Sequence, residues 1–118
     1  LQDKEYLDAL ANMQKATREN GIDKLLKENN LHALMAPTGA PAWKTDLIDG
    51  DHFLGGSSSL AAISGYPSIT VPMGFADVLP VGVSFFSTAW QEPTLIEIAY
   101  GYEQATKHRK APTYIPSK

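Results

Sequence analysis

The stretch from Gly65 to Gly74, reading Gly-Tyr-Pro-Ser-Ile-Thr-Val-Pro-Met-Gly, limits most narrowly what this chain can become. Gly65 can take φ > 0 where a helix stops, and Pro67 forbids that helix from continuing. Ile69, Thr70 and Val71 are β-branched and favour an extended backbone. Pro72 has no N–H to give to a sheet ladder, so the strand must end there or reach an edge. A small-residue run, Ser57–Ser64, precedes this stretch and a second strand-like run, Pro80–Phe86, follows it. The local order is helix, sharp stop, short buried strand, exit loop, strand.

The remaining chain fits around that unit. Tyr6, Leu10, Met13 and Thr17 recur at spacings of three and four, with Leu7 widening the stripe, and predict a helix from Asp3 to Asn20. Gly21 is a natural stop. Ile22–Asn29 predicts a second short helix, which Asn29 and Asn30 can close because they tolerate the left-handed conformation. Leu31–Ala36 is apolar apart from His32, ends at Pro37, and reads as a buried strand. Residues 38–56 form a long loop with Pro41 and glycines at 39, 50, 55 and 56. Trp43, Phe53 and Leu54 within it either pin the loop to the core or, for Trp43 and Phe53, line a pocket.

Ser57–Ser64 should be helical with a serine as N-cap. The strands Pro67–Val71 and Val81–Phe86 are separated by too few residues for a crossover helix, so they should pair antiparallel. Pro93 suits the first turn of a closing helix whose buried stripe is Leu95, Ile98, Ala99, Tyr102 and Ala105. Ala111–Lys118 reads as an extended tail. The expected fold is α/β: a small mixed sheet of about three strands with packed helices, in one domain over residues 1–118. A bare apolar edge of such a sheet invites pairing with a second copy.

Composition excludes several classes of partner. Charged residues are 19% of the 118 and the net charge is −3, so no broad basic surface is available for nucleic acid. The only basic cluster, Lys107 to Lys110, reads as cations complementing a helix C-terminus. No apolar run approaches the roughly 20 residues of a membrane span. No signal peptide is visible, and the expected location is the cytoplasm. The chain starts at Leu1 and runs almost at once into helical sequence, which suggests a piece of a longer protein. Cysteine is absent, so thiolate metal sites are excluded. His32, His52 and His108 lie far apart without a metal-binding spacing, and no phosphate- or dinucleotide-binding glycine motif is present, so neither metal nor cofactor is expected.

The central stretch resembles the amidase signature family, whose pattern there is Gly-x-Pro-x-(Ile/Leu)-(Thr/Ser)-Val-Pro-x-Gly, followed by a loop and Leu-Pro-x-Gly-(Val/Leu)-x-Phe. Here the second half is Leu79-Pro80-Val81-Gly82-Val83-Ser84-Phe85. Ile22–Pro37 and Leu95–Arg109 are similar to further blocks of that family, in the same order. The resemblance implies the C-terminal segment of an amidase, which hydrolyses carboxylic amides through a serine acyl-enzyme without metal or cofactor. It also implies a small-molecule amide substrate bound together with an N-terminal part that holds the nucleophile.

The run Gly55-Gly56-Ser57-Ser58-Ser59 is the tempting nucleophile loop, because a hydroxyl needs a nearby base to lose its proton as it attacks. It departs from the family's Gly-Gly-Ser-Ser-Gly-Gly-Ser-Ala-Ala, with Ser59 and Leu60 where the second glycine pair belongs. The nearest upstream lysine is Lys44, in a loop, whereas the family's catalytic lysine lies far upstream on a buried segment. No catalytic residue is therefore expected in this chain. Trp43, Phe53, Gly55, Ser57 and Ser58 are the expected substrate-binding wall. The glutamine-using branch carries an acidic residue where this chain has Gly55, which points to a less polar amide. The alternatives are one component of a glutamine-using amidotransferase and a non-catalytic binding or assembly domain.

Overall fold

A computed structural model describes residues 1–114. Its elements are α1 (Lys4–Thr17), α2 (Asp23–Glu28), β1 (Leu34–Pro37), α3 (Ser58–Ser64), β2 (Ser68–Ala76), β3 (Leu79–Phe86) and α4 (Glu92–Thr106). Residues 111–114 have no regular structure, and the rest of the expected extended tail, 115–118, lies outside the described residues.

Gly21 interrupts the helical run, as its residue type suggests: its φ of −114° and ψ of −106° are non-helical, and the chain kinks there between α1 and α2. A Cβ there would meet the Ala16 carbonyl oxygen at 2.9 Å, so only glycine lets the backbone bend this tightly. No residue of α1 is fully buried; Leu10 and Thr17 of its apolar stripe are half-buried, whereas Tyr6, Leu7 and Met13 are exposed. Asn30 closes α2 in the left-handed conformation at φ 52°, as its residue type allows. Leu31 N–H still donates to the Leu26 carbonyl at 2.8 Å, so the turn consumes residues expected in the strand, and β1 begins only at Leu34.

The three strands lie in the order β1-β3-β2, and both pairings are antiparallel. The sheet is thus not mixed. β1 and β2 run the same way, as a helical crossover through α3 requires, but the hairpin strand β3 returns between them. The hairpin turn is Asp77-Val78, with Asp77 at φ 57°, because both strands run further toward each other than the expected Pro67–Val71 and Val81–Phe86. β2 continues past Pro72 because it is an edge strand, and it accommodates a bulge between Pro72 and Gly74. The Thr38 N–H donates to the Gly82 carbonyl at 2.8 Å, which fixes the alternation of the ladder. By that alternation Met35 and Pro37 point their backbone outward on β1, and Ser68, Thr70 and Pro72 do so on β2. Each open edge therefore has a proline at an outward position, which removes a donor that another chain would need.

One buried apolar cluster lies on the face of the sheet that α4 covers, while Phe86, Ile22 and Leu26 are buried outside it. Val83, Phe85, Leu95 and Ala99 are buried together, with Ile69, Val71, Met73, Ile98 and Tyr102 packed around them. The Phe85 and Tyr102 rings meet edge to face at 5.6 Å. Pro93 sits in the first turn of α4 as expected, whereas Ala105 is exposed. Burial of Leu95 and Val83 contributes about 1.5–3 kcal/mol each. The opposite face presents three hydroxyls, one from each strand or its extension. Ser84 Oγ lies 2.8 Å from both Thr38 Oγ1 and Thr70 Oγ1. Gly82 leaves room for that cluster, since a Cβ there would stand 2.9 Å from Thr38 Oγ1.

Candidate functional site

Residues 38–57 leave the sheet at the end of β1 and return at the start of α3, and the backbone ties the two ends together. Gly39 and Gly56 form an isolated antiparallel bridge. The Ser57 N–H donates to the Thr38 carbonyl at 3.1 Å, and the Ala40 N–H to the Gly55 carbonyl at 3.4 Å. Gly56 must be glycine at this neck, because a Cβ would lie 2.9 Å from the Thr38 carbonyl oxygen, and Gly55 takes φ +100°. The excursion is a compact loop closed at its base. Further out, Trp43 and Phe53 join its two limbs edge to face at 5.9 Å. The Asp46 carboxylate accepts the N–H groups of Asp49 and Ile48, which hold its pKa below the ordinary carboxylate value. Leu47 and Ile48 at the tip are almost fully exposed.

Beside the neck lies an open cleft of about 850 Å³. Its walls come from Pro37 of β1, Leu54 and Ser57 of the loop base, Leu60 of α3, and Met73 and Phe75 of β2 around the bulge. The lining is apolar or uncharged throughout. Ser57 precedes α3 without a side-chain capping bond, and its Oγ is shut off from solvent with no hydrogen-bond partner among the described residues. A separate network, none of whose residues lines the cleft, holds the turn at Gly65. Arg18 Nε donates to the Ser64 carbonyl at 2.7 Å, and its guanidinium lies 5.4 Å from the Tyr66 ring centre. The Tyr66 hydroxyl donates to Asp23 Oδ2 at 3.0 Å. Burial, and then the hydrogen bond to Asp23 and its charge, raise the pKa of Tyr66 above its ordinary value.

No family model matches the chain. A probable amidase of Arabidopsis thaliana is 42% identical over 108 residues, which cover 91% of this chain and 18% of that protein. The crystal structure of a peptide amidase in complex with the competitive inhibitor chymostatin superposes with a TM-score of 0.90 at 48% identity, over 97% of this chain and 23% of that one. The chain belongs to the amidase signature family. A glutamyl-tRNA(Gln) amidotransferase component of Pseudomonas entomophila is a more distant relative, 37% identical over 90 residues, or 71% of this chain and 19% of that protein. The chain thus spans about a fifth of the length of the relatives it matches.

Of the residues expected to bind substrate, Gly55 and Ser57 line the cleft, whereas Trp43, Phe53 and Ser58 do not. Trp43 and Phe53 pin the loop to itself rather than to the core, and Phe53 is 69% exposed. Ser58 begins α3 and is exposed. Lys44 is exposed too, and among the described residues it makes no hydrogen bond or ion pair. Met73, Phe75 and Val81 line the cleft although no sequence pattern marks them for it. Their signal is hidden by the bulge after Pro72, which breaks the alternation that would have placed them. No helix among the described residues is long and apolar enough to cross a membrane.

Proposed function

We propose that this chain is the C-terminal part of an amide hydrolase, supplying sheet strands and one wall of the substrate cleft, while the nucleophilic serine and its base lie on other polypeptide. The observation that carries this reading is the match to a peptide amidase along nearly the whole chain, at a TM-score of 0.90. In the reaction so implied, the serine hydroxyl loses its proton to the base and attacks the amide carbonyl. The C–N bond breaks with proton transfer to the leaving nitrogen, and water then hydrolyses the acyl ester. Oxyanion donors belong to that same other polypeptide. The residues of this chain hold the group next to the reacting amide: Leu60, Met73 and Phe75 exclude water, and Gly55 and Ser57 set the cleft's floor. The exposed loop tip at Leu47 and Ile48 offers an apolar contact to the polypeptide that completes the site.

A glutamine-using amidotransferase is the second reading, favoured by the likeness to the Pseudomonas entomophila protein. The cleft counts against it, since nothing charged lines the wall to hold an α-ammonium group. Edge-to-edge self-association would have to run along Ser68 and Thr70 of β2 or Met35 of β1, outward positions next to Pro72 and Pro37, which withhold donors. The test is ammonia release from a neutral carboxylic amide. The 118-residue chain alone should give none, and a longer polypeptide containing it, with its upstream lysine and serine loop, should give turnover. Turnover by the 118 residues that Ser58→Ala abolishes would overturn the assignment.

A further inference from the structure

We propose that a smaller pocket beside the Gly65 turn is a second binding site, which takes a singly charged carboxylate on the Arg18 guanidinium with Trp90 as its aromatic lip. The pocket has a volume of about 280 Å³, and Arg18, Gly65, Tyr66, Trp90 and Glu92 are among its walls. It shares no residue with the cleft. Three neighbours fix the guanidinium. Its Nε donates to the Ser64 carbonyl at 2.7 Å, its central carbon lies 5.4 Å from the Tyr66 ring centre, and a Cβ at Gly65 would stand 3.3 Å from Nη2. The two terminal nitrogens have no hydrogen-bond partner among the described residues, and neither is enclosed. Arg18 makes no ion pair there either, with Glu92 or with any other described carboxylate. A guanidinium already held in place loses little further freedom on binding, and its open N–H groups match the two oxygens of a carboxylate.

Trp90 is the second, independent observation. It stands at φ 65°, in the left-handed region, and its side chain is 87% exposed. A bulky residue in that region is strained, and burial does not offset the cost here. On the same pocket wall as Tyr66, the indole offers an apolar face to whatever the carboxylate is attached to. Glu92 sets the charge of the ligand. A second negative charge would meet its carboxylate with no further cation in the lining to offset it. The chemistry these residues fit is one carboxylate borne by an apolar group. It has two sources, a free acid or an acidic side chain of the longer polypeptide.

The experiment titrates the 118-residue chain at about pH 7 with phenylacetate, its neutral isostere phenylacetamide, and acetate. The indole N–H resonance of Trp90, one of two tryptophans, reports occupancy. Phenylacetate should bind at least about tenfold more tightly than phenylacetamide or acetate. Arg18→Lys, which keeps a cation but loses the fork, should weaken it about tenfold. Trp90→Gly should weaken it about fivefold without lowering the melting temperature, because glycine takes the left-handed conformation freely. Glu92→Gln should tighten it. Phenylacetamide or acetate binding as tightly as phenylacetate, an unmoved Trp90 resonance, or unchanged affinity in Trp90→Gly or Glu92→Gln would each overturn the proposal. The longer polypeptide separates the two sources. Equal affinity there assigns the site to a free acid. Exclusion of phenylacetate, with Arg18→Lys lowering the melting temperature of that polypeptide more than that of the 118 residues, assigns it to an acidic side chain; exclusion without that difference overturns the proposal. Amide turnover enters none of these measurements, so their failure leaves the hydrolase reading standing.

Discussion

Tyr66→Phe tests whether the sharp stop that organises the fold is held by the network behind it. The Tyr66 hydroxyl donates to Asp23 Oδ2 and so ties the start of β2 to the start of α2, two segments far apart in sequence. Asp23 Oδ1 is already buried without a partner among the described residues, so the variant leaves a half-buried carboxylate with nothing to accept from. The aromatic ring remains, and with it the stacking of Arg18. The loss is therefore close to that of one hydrogen bond to a charged group, about 1.5–3 kcal/mol at neutral pH. In urea unfolding this should lower the midpoint by about 1 M.

The pH dependence of that loss has a definite sign. Burial and Asp23 raise the pKa of Tyr66 in the folded chain, so folding favours the protonated phenol. Its stabilisation is complete below the unfolded value of about 10 and is lost as pH rises through the higher folded value. The stability gap between the native chain and Tyr66→Phe should consequently narrow above about pH 10, and taking the difference cancels the other titrating groups common to both. A gap below about 0.5 kcal/mol at neutral pH, or one that stays constant into the alkaline range, would refute the reasoning.

The packing makes two further predictions, both checked by the same unfolding measurement. Leu95→Ala empties the centre of the α4-to-sheet contact, where the side chain is 1% exposed, and should cost about 2–5 kcal/mol. Gly82→Ala drives a methyl to 2.9 Å from Thr38 Oγ1 and 3.0 Å from Thr70 Cγ2, and should cost about 1–3 kcal/mol.

The strongest sequence signals were those in which one residue type forces one conformation. Gly65 ends α3 at φ 71°, Pro93 opens α4, Asn30 closes α2, and the β-branched run Ile69–Val71 lies in a strand. What the sequence hid depends on neighbours distant in the chain. Whether Pro72 ends β2 or merely marks its edge is decided by β3 taking the central place, which no local pattern records. The largely exposed stripe of α1 reads like any amphipathic helix, because periodicity says which face is apolar and not how far it is covered.

The same distinction settles the glycine-serine run. Gly55 and Gly56 look like a loop that delivers backbone amides to an oxyanion, yet their backbone cause is visible: Gly56 crosses the Thr38 carbonyl too closely for a Cβ, and Gly55 takes φ +100°. The Ser57 amide that such a hole would need is already spent on that carbonyl. A motif of small residues is therefore ambiguous between chemistry and close approach until the partner of each N–H is known. Here the partner is the end of β1, which makes the run the hinge on which the cleft wall is hung rather than a source of catalytic donors.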